Sequence, residues 1–148
     1  MEQNLSEILL VEDSPGDARL TTFALKNARV ANPVVHLKDG DEALEYIFAT
    51  GAYVKRNMEN TPVIILLDLK MPKVNGIEVL EKIKSDENTK DIPIIIFTSS
   101  KVENDVKKCY HLGANSFVVK PFEYNKFEEI IQEISSYWLV INHLPQKG

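Results

Sequence analysis

The sequence predicts an α/β fold in which strands and helices alternate to form a doubly wound parallel sheet. Short apolar runs that do not alternate with polar residues are typical of strands buried on both faces of such a sheet. Helical periods of apolar residues lie between these runs, and this alternation favours right-handed crossovers with helices on both faces. The length of 148 residues suits one domain better than two. We therefore expect a single domain over residues 1–148, with a core of about residues 6–138 and a C-terminal tail of residues 139–148.

Four apolar runs are predicted to be buried strands, namely residues 8–11, 63–67, 94–97 and 117–119. Residues 34–37 are a weaker fifth candidate, predicted to lie at an edge of the sheet because His36 interrupts the apolar run. In chain order this edge candidate is the second strand.

Each predicted strand is followed by a helical period. Ser14 is a good N-cap for the first helix, and Pro15 suits its first position. Gly113 stands where a glycine commonly ends a helix, here the fourth. Residues 51–62 are predicted to be an exposed polar loop. In chain order, the residues predicted to share a face of each helix are Leu20, Phe23, Ala24 and Ala28; Ala43, Leu44, Ile47 and Phe48; Gly76, Val79, Leu80 and Ile83; Val102, Val106, Cys109 and Tyr110; and Phe127, Ile130, Ile131, Ile134, Tyr137 and Trp138.

Composition and charge exclude several classes of protein. Hydrophobic residues make up 44% and charged residues 26% of the chain, which excludes global disorder. A net charge of −5 lacks the positive field that drives most nucleic-acid binding. The single cysteine, Cys109, excludes an intramolecular disulfide or a thiolate zinc site. The apolar runs are too short to cross a membrane and no signal region opens the chain, so we expect a cytoplasmic protein without membrane contact.

Polar residues follow four of the predicted strands, at the sheet edge where ligands of open α/β sheets bind. The residues at these strand ends are Glu12 and Asp13, Asp68, Thr98, and Lys120. Two carboxylates about 4 Å apart repel by roughly 4 kcal/mol at an effective dielectric of about 20. Lys120 offsets one charge, and a hard divalent cation such as Mg²⁺ would offset the rest.

This cluster has the groups needed to accept a phosphoryl group on a side chain. A carboxylate can act as the nucleophile, while a metal and an ammonium neutralise the charge of the phosphoryl oxygens. A hydroxyl adds a further hydrogen bond. The cluster lacks a base poised to activate water, which indicates a site that accepts a phosphoryl group and holds it.

Five segments resemble, in order and spacing, the motifs of response-regulator receiver domains in two-component signalling. The resemblance runs from about residue 6 to residue 138 and rests on residues 9–14 (LLVEDS), 66–72 (LLDLKMP), 75–76 (NG), 97–100 (FTSS) and 113–121 (GANSFVVKP). It implies a flavodoxin-like fold with strand order 2-1-3-4-5. It also implies a response regulator that accepts a phosphoryl group from a histidine kinase in a Mg²⁺-dependent reaction and signals by protein–protein contacts. Such a protein catalyses only its own phosphorylation and dephosphorylation.

The resemblance also assigns roles to individual residues. Asp68 matches the phosphoacceptor, Thr98 the switch hydroxyl and Lys120 the phosphate-binding lysine. Phe117 matches the aromatic residue whose rotamer reports activation, and the bond before Pro121 is implied to be cis. The implied Mg²⁺ ligands are Asp13 directly, Glu12 more often through water, Asp68, and the backbone carbonyl of Lys70.

Two features that differ from the commonest receivers indicate a narrower group within the family. The long connection of residues 51–62 and the extension after the last helix look like the stand-alone response regulators that partner bacterial phytochrome histidine kinases. The fifth helix and the tail carry more apolar residues than one helix face can bury. We therefore expect a homodimer through the fifth-helix face and the tail. The alternative is a tail that folds back on its own domain.

Other functions fit the residues less well. A haloacid-dehalogenase-type phosphatase needs an acid two positions after the nucleophile, where this chain has Lys70. A binder of flavin phosphate needs a glycine- and hydroxyl-rich loop after the first strand, where this chain has Glu12 and Asp13. Two alternatives within the same resemblance remain: a docking module without phosphorylation, and a phosphorelay intermediate that passes the phosphoryl group onward.

Overall fold

The computed structural model describes residues 5–144, within which five parallel strands form one sheet in the order β2-β1-β3-β4-β5. The strands are β1 (Ile8–Val11), β2 (Val34–Leu37), β3 (Ile64–Leu67), β4 (Ile94–Thr98) and β5 (Ser116–Val119). The predicted fold class and strand order are confirmed, and each predicted strand end lies within one residue of the observed one. Residues 1–4 and 145–148 of the predicted domain, including the end of its tail, lie outside the described residues.

A helix follows each strand, as predicted. The helices are α1 (Pro15–Asn27), α2 (Gly40–Phe48), α3 (Gly76–Lys84), α4 (Glu103–His111) and α5 (Tyr124–Ser136). A π-helical turn, Tyr137–Ile141, continues α5, so the predicted limit between core and tail falls inside this turn. Ser14 caps α1 as predicted, and Gly113 follows α4 with a φ of 107°.

The core consists of two apolar layers, one on each face of the sheet. Side chains of β1, β3 and β4 alternate between the layers and are almost fully buried, as the unbroken apolar runs predict. Helices α2 and α3, with Cys109 of α4, cover one face. Helices α1 and α5 cover the other face. Packing of the helices on both faces of the sheet holds the ends of the strands in a fixed arrangement.

The predicted faces of α1 and α4 are partly wrong. Phe23 is 53% exposed, because the buried side of α1 is formed by Ala18, Thr21, Ala24 and Leu25. Tyr110 and Val102 are also exposed, and Cys109 is the buried residue of α4. Helix α4 packs beside the edge strand β5, whose residues are themselves only partly buried. A narrow apolar stripe on α4 is therefore enough to cover this strand.

Two further expectations concern the backbone and the membrane. The peptide bond between Lys120 and Pro121, implied to be cis, is trans. Trans is the isomer that bonds before proline prefer by about 0.5–1 kcal/mol. In the described part of the chain, no helix combines the length and apolar character needed to cross a membrane.

Gly76 brings the start of α3 close to the end of β3. A Cβ atom at this position would lie 2.2 Å from the backbone oxygen of Asp68, so a side chain cannot be placed there without moving backbone. The Gly76 N–H donates a hydrogen bond of 2.9 Å to the carbonyl oxygen of Leu69. This close packing fixes the segment that carries Asp68.

Candidate functional site

The four strand ends bring the predicted site residues to one edge of the sheet. Glu12, Asp68 and Thr98 are buried there, while Asp13 is exposed. Carboxylate oxygens of Glu12, Asp13 and Asp68 all lie within 4.8 Å of one another. The Lys120 ammonium lies 2.5 Å from Glu12 Oε1 and 3.2 Å from Asp68 Oδ2. The side chains that the sequence places at separate strand ends therefore form one compact cluster.

Two buried acids share this cluster and differ in their affinity for a proton. Burial, reinforced by the negative charge of Asp68, raises the pKa of Glu12 from 4.5 to about 7, although the hydrogen bond from Lys120 opposes the rise. Burial also opposes ionisation of Asp68, but hydrogen bonds with Thr98 and Glu12 outweigh it and lower the pKa of Asp68. The Lys120 ammonium lowers it further. Asp68 is therefore the acid that remains ionised.

Lys120 has a third carboxylate partner that the sequence analysis missed. Asp17 Oδ2 lies 2.8 Å from Lys120 Nζ, and the lysine side chain is only 6% exposed. Burial by itself would lower the pKa of Lys120, but hydrogen bonds to Asp17 and Glu12 raise it above its ordinary value. The lysine therefore remains charged. Asp17 is the third residue of α1, and helical side chains lean toward the helix N-terminus. This lean is the signal from which the Asp17 carboxylate could have been predicted to lie near the strand ends.

The other predicted site residues have less direct contacts. The Lys70 N–H points to Asp68 Oδ1 at 3.4 Å, and the role of the Lys70 carbonyl stays a prediction. Phe117 is partly buried and packs against the layer of α2 and α3. The Nε2 atom of His36, a residue not among the predicted site residues, lies 2.7 Å from the carbonyl oxygen of Glu12. It thus supports the backbone of the acidic pair.

The acidic group fits a hard divalent cation. Its donors are carboxylate oxygens, the ligand type that Mg²⁺ prefers, and three of them can approach a common point. Beside them, the single ammonium of Lys120 is shared among Glu12, Asp17 and Asp68. The negative charge at this edge therefore exceeds the positive charge that the contacting side chains supply.

The raised pKa of Glu12 predicts a fall in stability with rising pH in the presence of a chelator. The folded protein binds a proton at Glu12 more tightly than the unfolded chain, so stability present below pH 4.5 is lost as pH rises toward about 7. The shift corresponds to roughly 3 kcal/mol in the free energy of unfolding. Urea unfolding between pH 4.5 and 7.5 measures it. Glu12→Gln, which cannot ionise, should flatten the curve, and an equal slope in both proteins would contradict this assignment.

Comparisons with a family model, with known sequences and with solved structures all find similarity to response regulators. Residues 8–132 match the sequence model of the response regulator receiver domain. The response regulator Rcp1 of Synechocystis is 38% identical over 140 residues, which cover 93% of this chain and 92% of that protein. The structure of the phosphorylated cyanobacterial phytochrome response regulator RcpA has a TM-score of 0.89 at 37% identity, covering 96% of this chain and 99% of that chain. The Mn²⁺-bound form of Rcp1 has a TM-score of 0.88 at 36% identity, covering 95% and 99%.

Proposed function

This chain belongs to the response-regulator receiver domain family of two-component signalling, and we propose that it accepts a phosphoryl group from a histidine kinase on Asp68. The observation that carries the proposal is the position of Asp68, a buried carboxylate with a lowered pKa that lies 3.2 Å from a buried ammonium. Its neighbours Glu12 and Asp13 complete the acidic group. We further propose that the domain acts alone and signals through contacts with other proteins.

The chemistry assigns one task to each side chain. An ionised oxygen of Asp68 forms a bond to phosphorus, the bond from phosphorus to the donor atom breaks, and the donor leaves with that electron pair. The Lys120 ammonium neutralises charge on the phosphoryl oxygens. Thr98 lies at the end of β4 beside Asp68 and donates its hydroxyl hydrogen to a phosphoryl oxygen. We assign to Phe117 the role of changing rotamer in response.

We propose Mg²⁺ as the metal of this site, held by Glu12, Asp13, Asp68 and the carbonyl of Lys70. Bound Mg²⁺ supplies the positive charge that lets an anionic donor approach this acidic edge. The experiment is incubation with acetyl phosphate, followed by intact mass measurement. We expect one phosphoryl group to add with Mg²⁺ and none in excess chelator.

The proposed partner is a histidine kinase of the phytochrome type. Similar proteins described as phytochrome response regulators support this choice, because the resemblance extends over nearly the whole of both chains. We also propose a cytoplasmic location, since the free thiol of Cys109 suits a reducing compartment.

We propose that the chain forms a homodimer through the fifth-helix face and the tail. The apolar residues of the π-helical turn lie in two different environments. Trp138 and Leu139 pack against the layer of α1 and α5. Tyr137, Val140 and Ile141 are instead 48%, 80% and 68% exposed. The tail therefore packs partly on its own domain and leaves an apolar strip that suits an isologous contact with a second copy.

Replacing this strip should weaken the dimer. We expect the wild type to dimerise at tens of micromolar, and Val140→Ser combined with Ile141→Ser to sediment as a monomer. Val54→Ser is the matched control, because Val54 is 67% exposed and lies in the loop after α2. Wild-type protein that sediments as a monomer with and without acetyl phosphate would exclude the dimer.

A further inference from the structure

The Lys120 ammonium is held at three points, and one of them lies outside the acidic group proposed to bind Mg²⁺. An ammonium has three N–H donors, and Lys120 directs them to Glu12, Asp17 and Asp68. The first and last of these carboxylates belong to the acidic group, whereas Asp17 does not. The position of Asp17 therefore requires a separate explanation.

The backbone around Asp17 is fixed from both sides. Its N–H donates to Oγ of the N-cap residue Ser14 at 3.2 Å, and its carbonyl oxygen accepts from Oγ1 of Thr21 at 2.9 Å. The Asp17 carboxylate thus projects from the first turn of α1 toward Lys120. The contact joins residues 103 positions apart in the chain, so it links α1 directly to the end of β5.

We propose that Asp17 is a positioning residue that holds the Lys120 ammonium beside Asp68 during phosphoryl transfer; this inference rests on the proposed function of Asp68. Glu12 and Asp68 must both change their contacts during the reaction, because one is a proposed metal ligand and the other gains the phosphoryl group. Asp17 has neither task. Its ion pair can persist while another N–H of Lys120 turns to a phosphoryl oxygen.

The first test is a kinetic comparison with Asp17→Asn, which removes the charge and keeps the shape. At a fixed concentration of acetyl phosphate and Mg²⁺, we expect the rate of phosphorylation to fall by roughly threefold to thirtyfold. This loss is smaller than the roughly 10²-fold loss that a displaced catalytic group can cause. Asp41→Asn is the matched control, since Asp41 lies in the first turn of α2 and its loss changes the net charge equally. A rate for Asp17→Asn equal to that of the control would overturn the proposal.

A double-mutant cycle separates positioning of Lys120 from any other effect of Asp17. In a Lys120→Ala background, Asp17→Asn should cause no further slowing, because the group that it positions is already gone. Slowing of similar size in that background would overturn the proposal, since Asp17 would then act without the lysine.

A spectroscopic test does not depend on phosphorylation or on a stable Lys120→Ala variant. In lysine ¹⁵N-labelled protein, the buried Lys120 ammonium should give a slowly exchanging proton–nitrogen signal. That signal should broaden or shift in Asp17→Asn and remain in Asp41→Asn, whereas an unchanged signal would overturn the inference. Wild-type protein that accepts no phosphoryl group would instead overturn the proposed function of Asp68, so the two failures are distinguishable.

Discussion

Asp68→Asn is expected to abolish phosphoryl labelling while the protein remains folded. An amide oxygen is a far weaker nucleophile than an ionised carboxylate, so no bond to phosphorus forms. The substitution keeps the side-chain volume, and the backbone bond from Asp68 N–H to the Val11 carbonyl, at 3.1 Å, is unaffected. The change also removes a negative charge that raises the pKa of Glu12. The lowered pKa of Asp68 means that its ionised form stabilises the fold, so we expect a modest fall in thermal stability. Lys120 keeps its contacts with Glu12 and Asp17, and the protein should remain folded.

The measurement is intact mass after incubation with acetyl phosphate and Mg²⁺, with thermal unfolding alongside. Asp41→Asn, which makes the same chemical change in the first turn of α2, should be labelled like the wild type. Labelling of Asp68→Asn to the wild-type level would show that another residue accepts the phosphoryl group. Loss of the folded state in this variant would contradict the electrostatic account of the cluster.

The parts of the fold that the sequence predicts well are those buried on both sides. Strands β1, β3 and β4 lie in the centre of the sheet, so burial alone dictates nearly every side chain and the boundaries follow from hydrophobicity. Helix α4 is different, because it covers an edge strand and only Cys109 needs to be buried. Tyr110 fits the apolar spacing and is nevertheless exposed. Periodicity identifies a face, but the width of the buried stripe depends on what packs against it.

The same distinction applies to the candidate site. Glu12, Asp68 and Lys120 follow strands of one parallel sheet, and Thr98 ends another. The carboxyl ends of such strands lie at one edge, so the proximity of these residues could be predicted from the sequence. Asp17 belongs to a helix, and its contact with Lys120 depends on how α1 packs beside α5 on one face of the sheet. The lean of helical side chains toward the helix N-terminus indicates the direction of the Asp17 carboxylate, but its distance from Lys120 depends on the packing of α1. The catalytic and metal-binding roles of these residues stay predictions until phosphorylation is measured.

Lys120→Ala is expected to cause a large loss of both stability and phosphorylation, unlike Asp68→Asn. It removes the ammonium that contacts Glu12, Asp17 and Asp68, of which Glu12 and Asp68 are nearly inaccessible to water. Breaking a buried ion pair by removing one partner costs about 3–5 kcal/mol, because the remaining charge lacks compensation. Loss of a group that stabilises transition-state charge should slow phosphorylation by about 10²–10³-fold.

The loss of stability should itself depend on pH, and this dependence distinguishes uncompensated charge from a simple loss of packing. Near pH 5, Glu12 in the variant binds a proton and part of the repulsion disappears, because its pKa is already about 7 with the lysine present. At pH 8, Glu12 is more ionised and the full cost is expected. Urea unfolding in chelator at both pH values measures the difference, with Lys107→Ala, an exposed lysine of α4, as the charge-matched control. Equal losses at the two pH values would mean that Lys120 stabilises the fold through its aliphatic chain and not by offsetting the carboxylates.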